Sequence, residues 1–300
     1  MSLLNITPQQ LQESAHQYRT ELLHMPLLAA ERILKDFTPV PNVRGKLTVG
    51  TLSGDIELAP YNATRVDEDG VSITGRTLET FLGSVIKKFD VNLAANTVYG
   101  SLIAQGEDLK NTDLAYQVLA YLAAKLGDSL AKSIWTAKRN EAGTKTTDLF
   151  DGFDSILEGH GGVPSPLPNT QIVDAIIIAF QNLDPALQDK VDTLYLPVNT
   201  YNAYLRDYRD SYGAVPYNTE YKKTFLEGTD NRVALAPQPY MDKGMLFAAK
   251  SNMLYGYGAG LAEENIAIEK HHPFLLDFVA TMYFGVQIAN LDEVKYIAFK

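Results

Sequence analysis

Two places in this sequence bring together side chains that could share a metal ion or a proton. Glu269 and His271 fall on one face if their segment is extended, with His272 beside them. A third ligand is missing, and a polar loop ahead of Pro273 explains the same residues. Asp151 and Asp154, three positions apart, could act as acid and base if their surroundings split their pKa values. Asp-Gly and Asp at a helix start are also ordinary turn and cap choices. Asp67-Glu68-Asp69-Gly70 looks like half a calcium loop, yet Arg65 and Arg76 stand where the first and last loop positions need carboxylates. A hairpin tip is expected there instead.

The remaining motifs are weaker. Gly256-Tyr257-Gly258-Ala259-Gly260 lacks both dinucleotide spacing and the lysine of a phosphate loop, so a flexible loop is expected. His16, His24 and His160 have no visible partner, and no nucleophile elbow, zinc-protease or kinase signature occurs. Tyr195, Tyr201, Tyr204, Tyr208, Tyr212, Tyr217 and Tyr221 alternate with Arg206, Arg209, Lys222 and Lys223, a pattern that could stack bases. Asp207, Asp210 and Glu220 break the basic charge, so a protein-contact surface is favoured. No catalytic, cofactor-binding or metal-binding residue is therefore assigned.

The composition narrows the function classes. Over 300 residues, 36 acidic against 26 basic side chains leave a charge of −10, which argues against a protein built to grip phosphates. The absence of Cys removes disulfides, thiol catalysis and Cys-based zinc sites. The first ten residues lack a basic signal-peptide start, and the longest apolar run, Ala175 to Phe180, is too short for a bilayer. A soluble, intracellularly made protein without a membrane partner is expected.

The elements that must position these residues are legible from periodicity. Thr7-Pro8 opens a helix carrying Leu11, Ala15, Tyr18 and Leu22, and Leu27 to Phe37 continue helically to Pro39 and Pro41. These first forty residues read as an arm. Lys46 to Leu52 alternate as a strand, and Asp69-Gly70 tips a projecting hairpin. Thr77 to Val91 fits either strand or helix. Leu114, Val118, Leu122, Leu126, Leu130 and Ile134 step by four along a helix from about Thr112 to Lys138, roughly 40 Å long. The Gly/Pro/Ser stretch Gly159 to Pro168 marks a domain boundary. Helices, a strand at Thr193 to Val198 and a Tyr-rich helix follow. The chain from Arg232 is mostly strands and closes with a long bent strand from Pro273 and a last strand at Val294 to Phe299. The class is α+β or α/β.

Three stretches carry a likeness to a known family: the long helix followed by Asp148-Leu149-Phe150-Asp151-Gly152-Phe153, the strand and helix Leu194-Tyr195-Leu196-Pro197-Val198-Asn199-Thr200-Tyr201, and the end Phe284-Gly285-Val286-Gln287-Ile288-Ala289-Asn290-Leu291-Asp292-Glu293-Val294. With the order of elements, the chain resembles the Hong Kong 97-type major capsid proteins of tailed phages. The resemblance implies an α+β capsid fold with residues 1–40 as N-terminal arm, 41–54 and 91–164 as peripheral domain with spine helix 112–138, 55–90 as extended loop, 165–270 as axial domain, and 271–300 as the long and closing strands. It implies a shell-forming structural protein and no enzyme, assembling into pentamers and hexamers in the bacterial host cytoplasm and residing in the virion capsid. A separate scaffolding protein, a portal and enclosed double-stranded DNA without sequence-specific contact are the implied partners. An encapsulin-like compartment is the alternative with the same fold, and a carboxylate-dependent hydrolase the alternative of another class.

Overall fold

The computed structural model describes residues 26, 30–53, 72–90, 113–158, 171–213, 216–218, 220–259, 266–272 and 275–299. A helical turn over 30–34 leads into β1 (Thr38–Pro41), then β2 (Lys46–Ser53), β3 (Ser72–Glu79) and β4 (Phe81–Asp90). The long helix α1 (Asp113–Thr136) and the one-turn α2 (Phe153–Ile156) follow. Next come α3 (Ile172–Gln181), α4 (Pro185–Lys190), β5 (Thr193–Pro197) and α5 (Val198–Tyr212). The chain then runs through β6 (Tyr217–Asn218), β7 (Lys223–Thr224), β8 (Ala234–Gln238), β9 (Gly244–Ala248) and β10 (Met253–Ala259). It closes with β11 (Ile266–His272), β12 (Leu275–Ile288) and β13 (Val294–Ala298).

Strand β12 organises the larger sheet. Along one edge it pairs antiparallel with β10 from Met253↔Ile288 to Ala259↔Met282 and with β11 from Ile266↔Ala280 onward. Its other edge pairs with β4 from Phe284↔Phe81 to Leu275↔Asp90. The segment that fits either period in the sequence is therefore strand, because β12 supplies a full-length partner. Strands β2 and β3 form the stem of the expected hairpin, from Lys46↔Glu79 to Ser53↔Ser72. The stem thus begins before residue 55, and residues 81–90 lie in the sheet instead of the projecting loop. Thr80 makes the corner: its N–H donates to the Gly45 carbonyl at 2.7 Å and its hydroxyl accepts from the Gly45 N–H at 3.0 Å.

The smaller sheet, in the order β13-β9-β5-β8, is buried on both faces. Because strand side chains alternate, Tyr195, Leu246, Ala248 and Tyr296 enter one core with the end of α1 and with α2. Leu194, Leu196, Leu235, Met245 and Phe247 enter a second core with α3 and α5. The sheet is the shared wall of the two cores.

The arm expected over 1–40 is corrected at its C-terminal end. Ala30, Ile33, Leu34 and Phe37 are buried in the first core, and Phe37 packs among Phe153, Tyr195 and Trp135 with centroids 5.1, 5.5 and 6.1 Å away. The apolar face of this segment is covered by its own chain. Residues 1–25 and the hairpin tip 67–70 lie outside the described residues.

Candidate functional site

The end of α1 meets three structures at once. Trp135 Nε1 donates to Gln238 Oε1 at 3.2 Å, and Gln238 Nε2 donates to Asp36 Oδ2 at 3.0 Å. Tyr195 donates its hydroxyl to the Asp36 carbonyl at 2.6 Å. This buried chain of polar groups joins the long helix, the segment entering β1 and the smaller sheet. Burial raises the Asp36 carboxyl above its ordinary value, with Lys35 and the Gln238 hydrogen bond opposing it. Arg139 continues the joint, its guanidinium 3.7 Å over the Phe81 ring at the start of β4.

The two candidate carboxylates do not act together. Asp151 is exposed and accepts the Arg139 N–H at 2.9 Å, closing the end of α1. Asp154 is buried, and neither of its oxygens has a hydrogen-bond partner. Burial pushes its carboxyl up to about 7, with Lys243 opposing and Asp242 adding to the shift. Sequence reasoning missed this isolation, since an Asp in a first helical turn is common at exposed ends.

Gly256 to Ala259 of the glycine-rich stretch lie in β10, which corrects the loop expected there; Gly260 lies outside the described residues. Gly256 and Gly285 face one another across β10 and β12. A Cβ on Gly285 would lie 2.1 Å from the Glu79 carbonyl, and one on Gly256 would lie 2.8 Å from Thr80 Cγ2. These glycines leave room for the corner between β3 and β4 to cross the sheet. The possible metal residues Glu269, His271 and His272 have their backbone in β11, whose register slips between Lys270 and His272; their side chains lie outside the described residues. Among the described residues no group of three His, Cys, Asp or Glu is placed to hold a metal.

The tyrosine run divides. Tyr195 and Tyr204 are fully buried in the two cores, so they are not part of a contact surface. Burial pushes the Tyr204 hydroxyl up to about 12. Tyr212, Tyr217 and Tyr221 are exposed. Strand β4 adds two exposed apolar side chains, Leu82 at 50% and Ile86 at 63%. Large apolar groups left in solvent on an ordered strand are candidates for contact with another chain.

No protein-family model matches the sequence, and no curated protein matches it. Solved structures do match. A satellite phage P4 procapsid structure is 10% identical, with a TM-score of 0.58 over 93% of this chain and 98% of that one. The capsid of an empty GTA particle is 14% identical, with a TM-score of 0.56 over 90% of each chain. The chain has the fold of these capsid subunits. The likeness extends to a virus-like particle from Pyrococcus furiosus, 12% identical with a TM-score of 0.50 over 93% of this chain and 99% of that one. The α+β capsid fold expected from the sequence is thus the fold of the protein. The buried polar joint at Trp135 is internal to the chain, while Leu82, Ile86, Tyr212, Tyr217 and Tyr221 are open to solvent.

Proposed function

We propose that this chain is the shell-forming major capsid protein of a tailed bacteriophage or prophage, assembling into pentamers and hexamers that enclose double-stranded DNA. The observation that carries the reading is the agreement in fold over nearly the full length of both this chain and the P4 and GTA capsid subunits. Heterologous contacts that close around rotation axes need surfaces of different kinds on different sides of the subunit. The exposed apolar side chains on β4 and the exposed tyrosines are available for such contacts. The hairpin stemmed by β2 and β3 reaches a neighbouring subunit, and α1 braces the body.

The charge fits containment. A shell of subunits carrying −10 each encloses DNA without gripping its backbone. A separate scaffolding protein guides the curvature, a portal occupies one vertex, and assembly takes place in the host cytoplasm. Catalysis has no part in this role; the hydrolase alternative loses its pair, because Asp151 is committed to the Arg139 N–H and Asp154 is buried.

An encapsulin-like compartment is the second reading; the likeness to the Pyrococcus furiosus virus-like particle is compatible with it and does not favour it over the capsid. Electron microscopy of the purified chain tests both: closed shells or ring-shaped capsomers are expected. A uniform monomer that turns over a substrate overturns both. Nucleic acid inside shells made in the native host supports the capsid, whereas a single co-purifying protein cargo supports the compartment.

A further inference from the structure

Asp154 is the buried group that the assembly role leaves unused. Its side chain is 5% exposed, and neither carboxylate oxygen has a hydrogen-bond partner. An ionised carboxylate without donors is strongly disfavoured in such a place, so the group holds a proton instead. It sits on α2, which is tied beneath the end of α1: the Gly152 N–H and the Ser155 hydroxyl both donate to the Ala137 carbonyl, at 2.9 and 2.7 Å. The adjacent Phe153 ring packs on Trp135 with centroids 5.3 Å apart.

The charged and titratable groups that face Asp154 come from the smaller sheet. They are Asp242 and Lys243, just ahead of β9, and Tyr296 on β13. Lys243 favours ionisation and Asp242 opposes it, and burial outweighs both, so the group titrates at about 7. Burial and the carboxylates of Asp154 and Asp242 push the Tyr296 hydroxyl upward, which keeps it neutral.

We propose that Asp154 is a pH-sensitive clasp between the end of α1 and the β9–β13 side of the smaller sheet. Neutral, it seats α2 against the sheet; ionised, it loosens that junction. The clasp belongs to the subunit and operates whether the shell encloses DNA or a protein cargo.

The sign follows from linkage. The folded value of about 7 lies above the ordinary 3.8, so between them the folded chain keeps a proton that the unfolded chain has released. Stability from this group is fully present below the ordinary value, falls as pH rises through the window, and levels off above about 7. Each pH unit across the window lowers the folded-to-unfolded ratio by up to about tenfold.

The test uses the full-length chain and Asp154→Asn, whose side chain imitates the neutral acid. Melting temperatures are followed from about pH 3.5 to about pH 8.5, alongside acrylamide quenching of Trp135, the single tryptophan. The two proteins are expected to melt alike at the acid end, with the wild type falling progressively below the variant as pH rises. Trp135 quenching is expected to increase with a midpoint near 7 in the wild type and to stay level in the variant. Parallel melting curves overturn the proposal, as does quenching with the same pH profile in both. An Asp154→Asn chain that is unfolded at the acid end overturns it too, because a protonated carboxyl would then not be what the site requires.

Discussion

Phe37 and Tyr195 stack with ring centroids 5.5 Å apart and planes within 10° of parallel. The two residues are far apart in sequence, one entering β1 and the other in the middle of the smaller sheet. Their contact fastens the segment 30–37 to the body, and Tyr195 adds the hydrogen bond to the Asp36 carbonyl. Phe37→Ala removes a ring from the centre of the first core and is expected to destabilise the folded chain by about 3–5 kcal/mol. Chemical denaturation of the wild type and variant measures it; a loss below about 1 kcal/mol would show that the segment contributes little to the body.

Gln238 bridges two elements with one amide. In Gln238→Ala the Trp135 Nε1–H loses its acceptor in a fully buried place, with an expected loss of about 1–3 kcal/mol. Gln238→Glu should be worse at neutral pH, since it sets a second carboxyl beside Asp36. Protonation removes that repulsion, so the Glu variant should approach the stability of Gln as the pH is lowered, and melting profiles of the three proteins report the order.

Gly285 and Gly83 lie in the same sheet and differ in what a methyl group would strike. At Gly285 it meets the Glu79 backbone carbonyl, whereas at Gly83 it meets the movable end of the Leu149 side chain at 2.9 Å. Gly285→Ala is therefore expected to be the more damaging by about 1–3 kcal/mol. Equal melting temperatures for the two variants would contradict the crossing of the β3–β4 corner over Gly285.

Ile86 and Leu82 are exposed, so replacing both with Asp should change the stability of the folded chain by no more than about 1 kcal/mol. If the outer side of β4 meets a neighbouring subunit, the same variant should assemble poorly. Melting temperature and light scattering separate the two effects: unchanged melting with unimpaired shell formation removes β4 from the list of contact surfaces.

In the proposed shell, chains carrying −10 each repel one another, and salt screens that repulsion over a Debye length of about 10 Å at 0.1 M. Shell assembly at fixed protein concentration should therefore be faster at moderate salt than at very low salt. Scattering that slows as salt is added would point to contacts dominated by opposite charges.

Local pattern alone determined a good part of this protein. A step of four from Leu114 to Ile134 forces α1, whose observed span, Asp113–Thr136, lies within the expected one. Alternation over Lys46 to Leu52 indicated β2, and the long terminal strand and closing strand are β12 and β13. Each depends on neighbours within a few residues, which a sequence displays directly. The tertiary structure decided whatever depends on a partner distant in the chain. Phe81 to Asp90 became strand because β12 lies alongside, and Gly256 became part of a strand because Gly285 faces it beneath a crossing corner. Segment 30–37 turned inward because Trp135, Phe153 and Tyr195 cover Phe37. Asp151 and Asp154 look equivalent on paper, but folding gave one a backbone donor and solvent and left the other buried without a donor. Burial is a property of the packed whole, and the energy of a carboxylate follows burial more than spacing.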